Sequence, residues 1–555
     1  MITGGQAVVA FLEAQGVERL FCVPGESFLP VLDALYDSSI RVIVCRHEGA
    51  AAMMAEATGK LTGRPGVALV TRGPGATNAS AGVHVAEHDS SPMLLLVGQV
   101  RRGLRGRGAF QELDYRSLFG GMAKWVGEID AAERIPELFS RAFHTAMSGR
   151  PGPVVLVLPE DILSEQTQRQ QLSKVEVAES APASEQIAAL GRLLGGARRP
   201  MMILGGTRWS AAAVVAASEF SERWDLPVAC SFRRQMLFDH LHPNYAGDIG
   251  LAINPRLAAR LTESDLWLLI GGRFAESPSQ GYRLLAIPGA DGKLVHVHPG
   301  AEELGRVYHP ILSCHATPGA FFQSVTNLNP PAKPPWSSSV PLAHAEYIAW
   351  SEQWLESPGH VQMRQVMAWL EDHLPVDAVL TNGAGNYATW LHRFHRFRRY
   401  GTQVAPVSGS MGYGLPGAIA AKLLHPNRLV ICFAGDGCFQ MTGLEFATAV
   451  QYGINVIVLV IDNGIHGTIR MHQERRYPGR VIASQLSNPD FAAFARLCGG
   501  HGETVERTEE FGPAFQEALA AEKPAIIHLK VDPEAILPGL SLTQLRGMRA
   551  GEGAR

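Results

Sequence analysis

Short apolar runs alternate with longer amphipathic or alanine-rich stretches along most of this chain. In the first block, residues 19–23, 41–45, 67–71, 93–97 and 154–158 read as strands, and residues 6–14, 27–37, 48–61 and 77–86 as helices. That alternation predicts a parallel sheet covered on both faces. A polar, Gln/Glu-rich linker follows at 164–184. A second block then runs to about residue 324, with strands expected at 201–204, 266–270 and 294–297. Four prolines within 327–339 mark a second linker. In the third block a run at 429–433 stops at Gly435-Asp436-Gly437. A helical pattern with Leu444, Ala447 and Val450 on one face follows, and a run at 456–461 ends at Asp462-Asn463-Gly464. The expected fold class is α/β, with three doubly wound parallel-sheet domains at residues 1–165, 186–325 and 345–536. Blocks one and three read as one architecture used twice. The Gly- and Arg-rich end from Leu537 reads as a tail, either without fixed structure or docked.

Composition narrows the function classes. The 555 residues predict about three or four domains. They are 46% hydrophobic and 18% charged, as in a soluble globular protein. A net charge of -3 gives no reason to expect nucleic acid or an anionic membrane as partner. Seven scattered cysteines without a CxxC pair fit a reducing cytoplasm, and no secretory signal or membrane span is read.

The chemistry gathers at strand ends, where open parallel sheets bind ligands. At Gly435-Asp436-Gly437 the glycines let backbone N–H groups approach an anion at a helix start. Asp436 and Asn463 offer hard oxygens, and Mg²⁺ takes one or two such ligands beside phosphate oxygens and water. A lone GDG reads more simply as a turn. With Asn463 placed 27 residues after Asp436, across a whole β-α-β unit, it is far more specific. The unit resembles the thiamine-diphosphate motif of the acetolactate synthase and pyruvate decarboxylase superfamily.

Further segments carry the same resemblance. They are Val23-Pro24-Gly25-Glu26, Arg46-His47-Glu48-Gly49-Ala50-Ala51 and Thr71-Arg72-Gly73-Pro74-Gly75-Ala76-Thr77-Asn78. Read locally, Glu48 is only an acid at a helix start, favoured by the helix dipole. The resemblance implies instead a pyrimidine-binding domain whose Glu48 hydrogen-bonds the aminopyrimidine ring of thiamine diphosphate. The cofactor then serves as electron sink for decarboxylation. Pro24, Gly25, Thr71, Gly75 and Asn78 are implied cofactor neighbours. Phe110, Gln111 and Lys124 are implied at the substrate channel, although local sequence reads Phe110 as core and Lys124 as surface. The arginines at 101, 102, 105 and 107 would favour an anionic substrate, but most of that run reads as a solvated loop.

In the third block the resemblance implies that the Gly409 carbonyl receives the aminopyrimidine amine and that Met411 props the bent cofactor. Asn386 and Tyr387 stand where the family has a Gln-His pair on the diphosphate. Gly435, Gly437, Cys438, His466 and Gly467 line the same group, and Asp436, Asn463 and the Ile465 carbonyl hold Mg²⁺. Met471-His472-Gln473 replaces the Gln-Trp-Gln of acetolactate synthases, which changes the acceptor pocket. In the central domain Leu204-Gly205-Gly206-Thr207 and Gly271-Gly272-Arg273-Phe274 resemble FAD-binding turns, but His296 and His298 replace the acidic strand end, so FAD is a candidate only. His84 and His88 lack a third zinc ligand, and the basic-aromatic run 392–400 reads as a snorkelling helix end.

The implied activity is decarboxylation of a 2-oxoacid and ligation to an aldehyde or ketone, in a homodimer or homotetramer. Simple decarboxylation, aldehyde lyase chemistry and diketone C–C hydrolysis are the rivals within the class. A non-catalytic regulatory homologue is the rival outside it.

Overall fold

The structure, a computed structural model, describes residues 1–552. Three six-stranded sheets organise them, and every ladder within those sheets is parallel. The first holds β1 (Arg19–Cys22), β2 (Arg41–Val44), β3 (Gly66–Val70), β4 (Met93–Gln99), β5 (Trp125–Glu128) and β6 (Pro153–Pro159), in the order β2-β1-β3-β4-β6-β5. The second holds β7 (Pro200–Leu204), β8 (Val228–Ser231), β9 (Tyr245–Ile249), β10 (Leu266–Ile270), β11 (Leu294–His298) and β12 (Leu312–His315), in the order β9-β8-β7-β10-β11-β12. The third holds β13 (Val379–Asn382), β14 (Gln403–Val404), β15 (Val430–Gly435), β16 (Ile457–Asp462), β17 (His501–Val505) and β18 (Ala525–Lys530), in the order β14-β13-β15-β16-β18-β17.

The first and third sheets thus repeat one strand order, as the patterning led us to expect. The second has the order of a dinucleotide fold, which reverses direction between β7 and β10. Interior strands such as β3, β4 and β6 are buried at every position, because helices cover both faces of a parallel sheet. Leu20, Leu69, Leu96 and Leu156 pack on one side of the first sheet with Phe11, Phe139 and Phe143.

The chain forms two compact units. The first comprises Met1–Ala178, Pro406–Asn427 and Gln440–Val456; the second comprises Glu179–Ala405, Arg428–Phe439 and the residues from Ile457 onward.

Three expectations are corrected. The edge strand β5 was not legible, since it is four residues long, interrupted by Gly127 and only half-buried. Helix α1 (Glu48–Thr62) lies where expected, but α2 (Gly73–Asp89) starts at Gly73 rather than 77. Its Pro74 reads as a turn residue, yet a proline in the first helical turn loses no intrahelical bond. Helix α3 (Glu445–Tyr452) buries Glu445, Phe446, Thr448 and Ala449, while Leu444 is 67% exposed, so the buried face is not the one its apolar spacing suggested.

The tail is ordered through the described residues. After helix α4 (Gly467–Arg476) and β18, Leu540–Ser541 pairs with Ala535–Leu537, and helix α5 (Leu542–Glu552) follows. Leu542 and Leu545 pack with Ile465, Met471 and Ile536, and Arg546 donates to Glu474 at 2.8 Å.

Candidate active site

In the first unit, four strand-end segments converge at the carboxyl edge of the sheet. Glu48 follows β2, is half-buried, and receives a hydrogen bond at Oε2 from Asn78 Nδ2 at 2.9 Å. The floor beside it has no room for side chains. A Cβ on Gly75 would stand 2.9 Å from Thr71 Cγ2 and 3.2 Å from Glu48 Oε1. One on Gly25 would stand 2.5 Å from Thr71 Cβ. Pro24 beside it is exposed. Ser27 and Thr71 hydroxyls share a 3.0 Å hydrogen bond. The result is a glycine-lined notch with a carboxylate in its wall.

Phe110 and Gln111 reach the same edge. Gly73 N donates to Gln111 O at 3.0 Å, and Gln111 adopts φ 61°, a strained value for a residue with a side chain. Phe110 is 74% exposed, so its reading as core is corrected. Lys124 is not brought to this edge. It precedes β5, at the amino edge, and its Nζ donates to Ser148 O at 2.7 Å. β5 and β2 are opposite edge strands, five ladder steps or about 24 Å apart. The arginine loop is tied into ion pairs, Arg102 with Asp161 and Arg105 with Glu128.

The loop with Gly409 and Met411 also belongs to the first unit. Gly409 takes φ 72° and is exposed, and Met411 is half-buried. Asp89 fixes the loop's start, accepting from Val407 N at 2.9 Å and Ser408 N at 3.1 Å. Tyr413 fixes its end, donating to Glu56 at 2.5 Å. Lys60 lies between these acids, 3.1 Å from Glu56 and 2.6 Å from Asp89.

The second unit carries the diphosphate-type loop. Asp436 is buried at the end of β15, and its Oδ1 accepts from Gly437 N at 2.8 Å. Asn488 Nδ2 bridges Asp436 Oδ2 at 2.7 Å and Asp462 Oδ1 at 2.6 Å. Burial pushes the Asp436 carboxyl up. Burial also opposes ionisation of Asp462, but hydrogen bonds from His528, Lys530 and Asn488 outweigh it and hold that group well below the usual range. Buried charges persist where they are paired in this way.

Asn463 Oδ1 accepts from Ile465 N at 3.3 Å. Residues 464–466 pair with 484–486 through Leu486 N to Gly464 O and His466 N to Ser484 O. In such a pair the intervening Ile465 carbonyl points away from the ladder. Asp436, Asn463 and the Ile465 carbonyl each offer an oxygen of the kind that Mg²⁺ takes. A Cβ on Gly437 would stand 2.8 Å from the His466 ring, one on Gly467 3.3 Å from Asn463 Nδ2, and one on Gly435 2.7 Å from the Tyr387 ring. The Tyr387 hydroxyl donates to Cys438 Sγ at 3.2 Å and accepts from Gly383 N. Tyr387 thus packs against the loop as filler, while Asn386 contacts Thr468 and Met471.

Comparison with known proteins decides the family. Descriptions of the thiamine pyrophosphate enzyme N-terminal TPP binding domain, central domain and C-terminal TPP binding domain match residues 2–118, 187–325 and 383–529. The chain belongs to the thiamine pyrophosphate enzyme family. It is a thiamine-diphosphate-dependent enzyme, similar along its length to acetolactate synthases. It is 30% identical to the Escherichia coli (strain K12) acetolactate synthase isozyme 2 large subunit, covering 96% of each chain. It is 31% identical to the Corynebacterium glutamicum acetolactate synthase large subunit, covering 96% of this chain and 87% of the relative. It is also 31% identical to the Mycobacterium bovis acetolactate synthase, covering 96% and 89%.

Among the described residues, no helix of this thiamine pyrophosphate enzyme is long and apolar enough to cross a membrane. In the central sheet the turns after β7 and β10 meet at the point of reversal, where a Cβ on Gly206 would overlap the Gly271 carbonyl. Trp209 Nε1 donates to Gly205 O at 2.7 Å, Arg234 to Gly206 O at 2.7 Å, and His296 Nε2 lies 2.8 Å from Gly272 O. The basic-aromatic run is tied internally, with Arg393 stacked 3.4 Å over Trp350. Sequence reasoning missed Asn488, His528, Asp89 and Glu445. Only the carboxylate of Asp462, next to Asn463, carried a signal that could have been followed.

Proposed function

We propose that this enzyme decarboxylates a 2-oxoacid and joins the fragment to a second carbonyl compound, in the manner its acetolactate synthase relatives' names describe. The observation that carries the reading is Glu48. It stands half-buried in a glycine-lined notch, oriented by Asn78, at the strand edge where ligands bind. Thiamine diphosphate, when bound, supplies an acidic thiazolium C–H and an electron sink. Glu48 would hold the aminopyrimidine ring nitrogen and move its proton, the Gly409 carbonyl would accept from the ring amine, and Met411 would support the cofactor. Asp436, Asn463 and the Ile465 carbonyl would hold Mg²⁺, and Gly435, Gly437, His466 and Gly467 would line the diphosphate. The exposed Phe110 and strained Gln111 border the substrate's approach.

The assignment places pyrimidine binding in residues 1–165, the central domain in 186–325 and diphosphate binding in 345–536. It is completed by a homodimer or homotetramer in the cytoplasm. FAD fits poorly: the central turns pack backbone on backbone, and histidines stand where an acid is expected. No step of this reading needs a flavin.

The test is to supply pyruvate with thiamine diphosphate and Mg²⁺ and to assay CO₂ and acetolactate. Absence of both products, with pyruvate and with a panel of other 2-oxoacids, removes the assignment. A second reading, simple decarboxylation without ligation, is favoured by His472. It is exposed on α4 where the synthases have a tryptophan, and an aldehyde as sole product would select it.

A further inference from the structure

β2 is an edge strand, bonded only to β1, so alternate backbone N–H groups point out of the sheet. Cys45 N turns inward to Cys22 O at 2.8 Å; Val44 N and Arg46 N turn outward. Buried backbone donors left without acceptors cost stability, so something must receive them. Helix α3, far away in sequence, does. Tyr452 Oη accepts from Val44 N at 2.9 Å. Glu445 Oε1 accepts from Arg46 N at 2.9 Å and from His47 N at 3.0 Å. Gln451 Oε1 receives Arg46 Nη2 at 2.6 Å. His47 Nδ1 then accepts from Gly49 N at 3.0 Å, which caps the helix that Glu48 begins.

Glu445 is fully buried, and burial pushes its carboxyl up. Its second oxygen accepts from the Thr448 hydroxyl at 2.6 Å. Both backbone donors converge on one oxygen, immediately before Glu48. We propose that Glu445 is a positioning residue: it fixes the backbone of residues 46–47 and so aims the Glu48 carboxylate at the cofactor ring. This rests on the proposed role of Glu48. The contribution is geometric, since a neutral amide oxygen in the same place can accept the same two bonds.

Glu445→Ala and Glu445→Gln separate geometry from charge and from bulk stability. Two readouts are taken on each: amide hydrogen exchange of residues 44–50 in the cofactor-free protein, and kcat against KM for thiamine diphosphate in the loaded enzyme. Glu445→Ala is expected to speed exchange at 46 and 47 and to lower kcat by about 10- to 100-fold, the usual cost of a misplaced catalytic group, with cofactor KM little changed. Glu445→Gln is expected to stay near wild type in both.

Unchanged exchange at 46–47 in Glu445→Ala overturns the proposal. So does a Glu445→Gln enzyme as impaired as Glu445→Ala, and so does faster exchange spread across the whole first unit. Glu48→Gln is measured in parallel. If it retains full turnover, the assigned role of Glu48 fails, and the exchange data still report whether Glu445 holds residues 46–47.

Discussion

Removing the Lys60 ammonium should unfold the first unit more easily than any surface substitution would. The side chains of Lys60, Glu56 and Asp89 are 3%, 0% and 0% exposed, and Lys60 lies 3.1 Å and 2.6 Å from the two acids. Lys60→Ala leaves two buried carboxylates facing one vacated position. Breaking a buried pair from one side typically costs about 3–5 kcal/mol. The lower end applies, because Ser91 and Tyr413 hydroxyls still serve Glu56 and two amides still serve Asp89. We therefore expect about 3 kcal/mol. Of the nine tryptophans only Trp125 lies in the first unit, so the measurement is hydrogen exchange of α1 and α2 peptides across a urea series. Lys60→Met combined with Glu56→Gln and Asp89→Asn should cost less than Lys60→Ala alone, because it removes the buried charge instead of stranding it. A loss under about 1 kcal/mol for Lys60→Ala would show that the trio behaves as a solvated surface pair and would refute the reasoning.

Three other outcomes are expected. Asn488→Ala deprives Asp436 and Asp462 of their shared donor, so Mg²⁺ affinity at saturating thiamine diphosphate should weaken by about tenfold or more, in line with the roughly 1.5–3 kcal/mol that a hydrogen bond to a charged group contributes; an unchanged calorimetric Kd sinks this. Gly437→Ala puts a methyl 2.8 Å from the His466 ring and should cost about 1–3 kcal/mol of loop strain, read as weaker cofactor binding, with wild-type affinity as the contrary result. Burial lowers His240 and His392 to about 3 and His296 to about 4. All three are neutral in the folded second unit while their unfolded counterparts gain protons below about 6.5, so each one's contribution falls with acidification by about 1.4 kcal/mol per pH unit between roughly 6.5 and 4, while the raised carboxyls of Asp248 and Asp436 act in the opposite direction. The stability difference between wild type and His296→Gln, from urea unfolding followed by tryptophan fluorescence, should therefore change by about 1.4 kcal/mol per pH unit across that window; a difference that does not vary with pH contradicts the assignment.

The sheets and the chemical loops were legible because both obey short-range rules. Parallel strands buried on both faces must be continuous apolar runs, and β3, β4 and β15 announced themselves that way. The Gly435–Gly437 turn was legible because a backbone that approaches an anion excludes Cβ atoms, and the rings of Tyr387 and His466 leave no room for one at Gly435 or Gly437. β5 was not legible, since its pattern is that of any short half-buried segment. Lys124 was carried in by resemblance alone, and no local feature could have shown that it precedes its strand on the opposite edge from Glu48.

What sequence could not reveal is how the loops are held. Each chemical segment is fixed by a buried carboxylate remote in sequence or hidden in a turn: Glu445 for residues 46–47, Asp89 for residues 407–408, and Asp462 with Asn488 for Asp436. A lone acid in a helix is ordinarily a solvated side chain, so pattern reading discards it. In α3 the apolar spacing even pointed to the wrong face, because the position facing inward is a glutamate whose partners are backbone amides of an edge strand. Such acids are costly to bury, and here the cost is offset by the unpaired N–H groups that a loop must present. The physical mark of an organised site in this chain is therefore less the glycine-rich loop than the fully buried acid that receives its backbone donors.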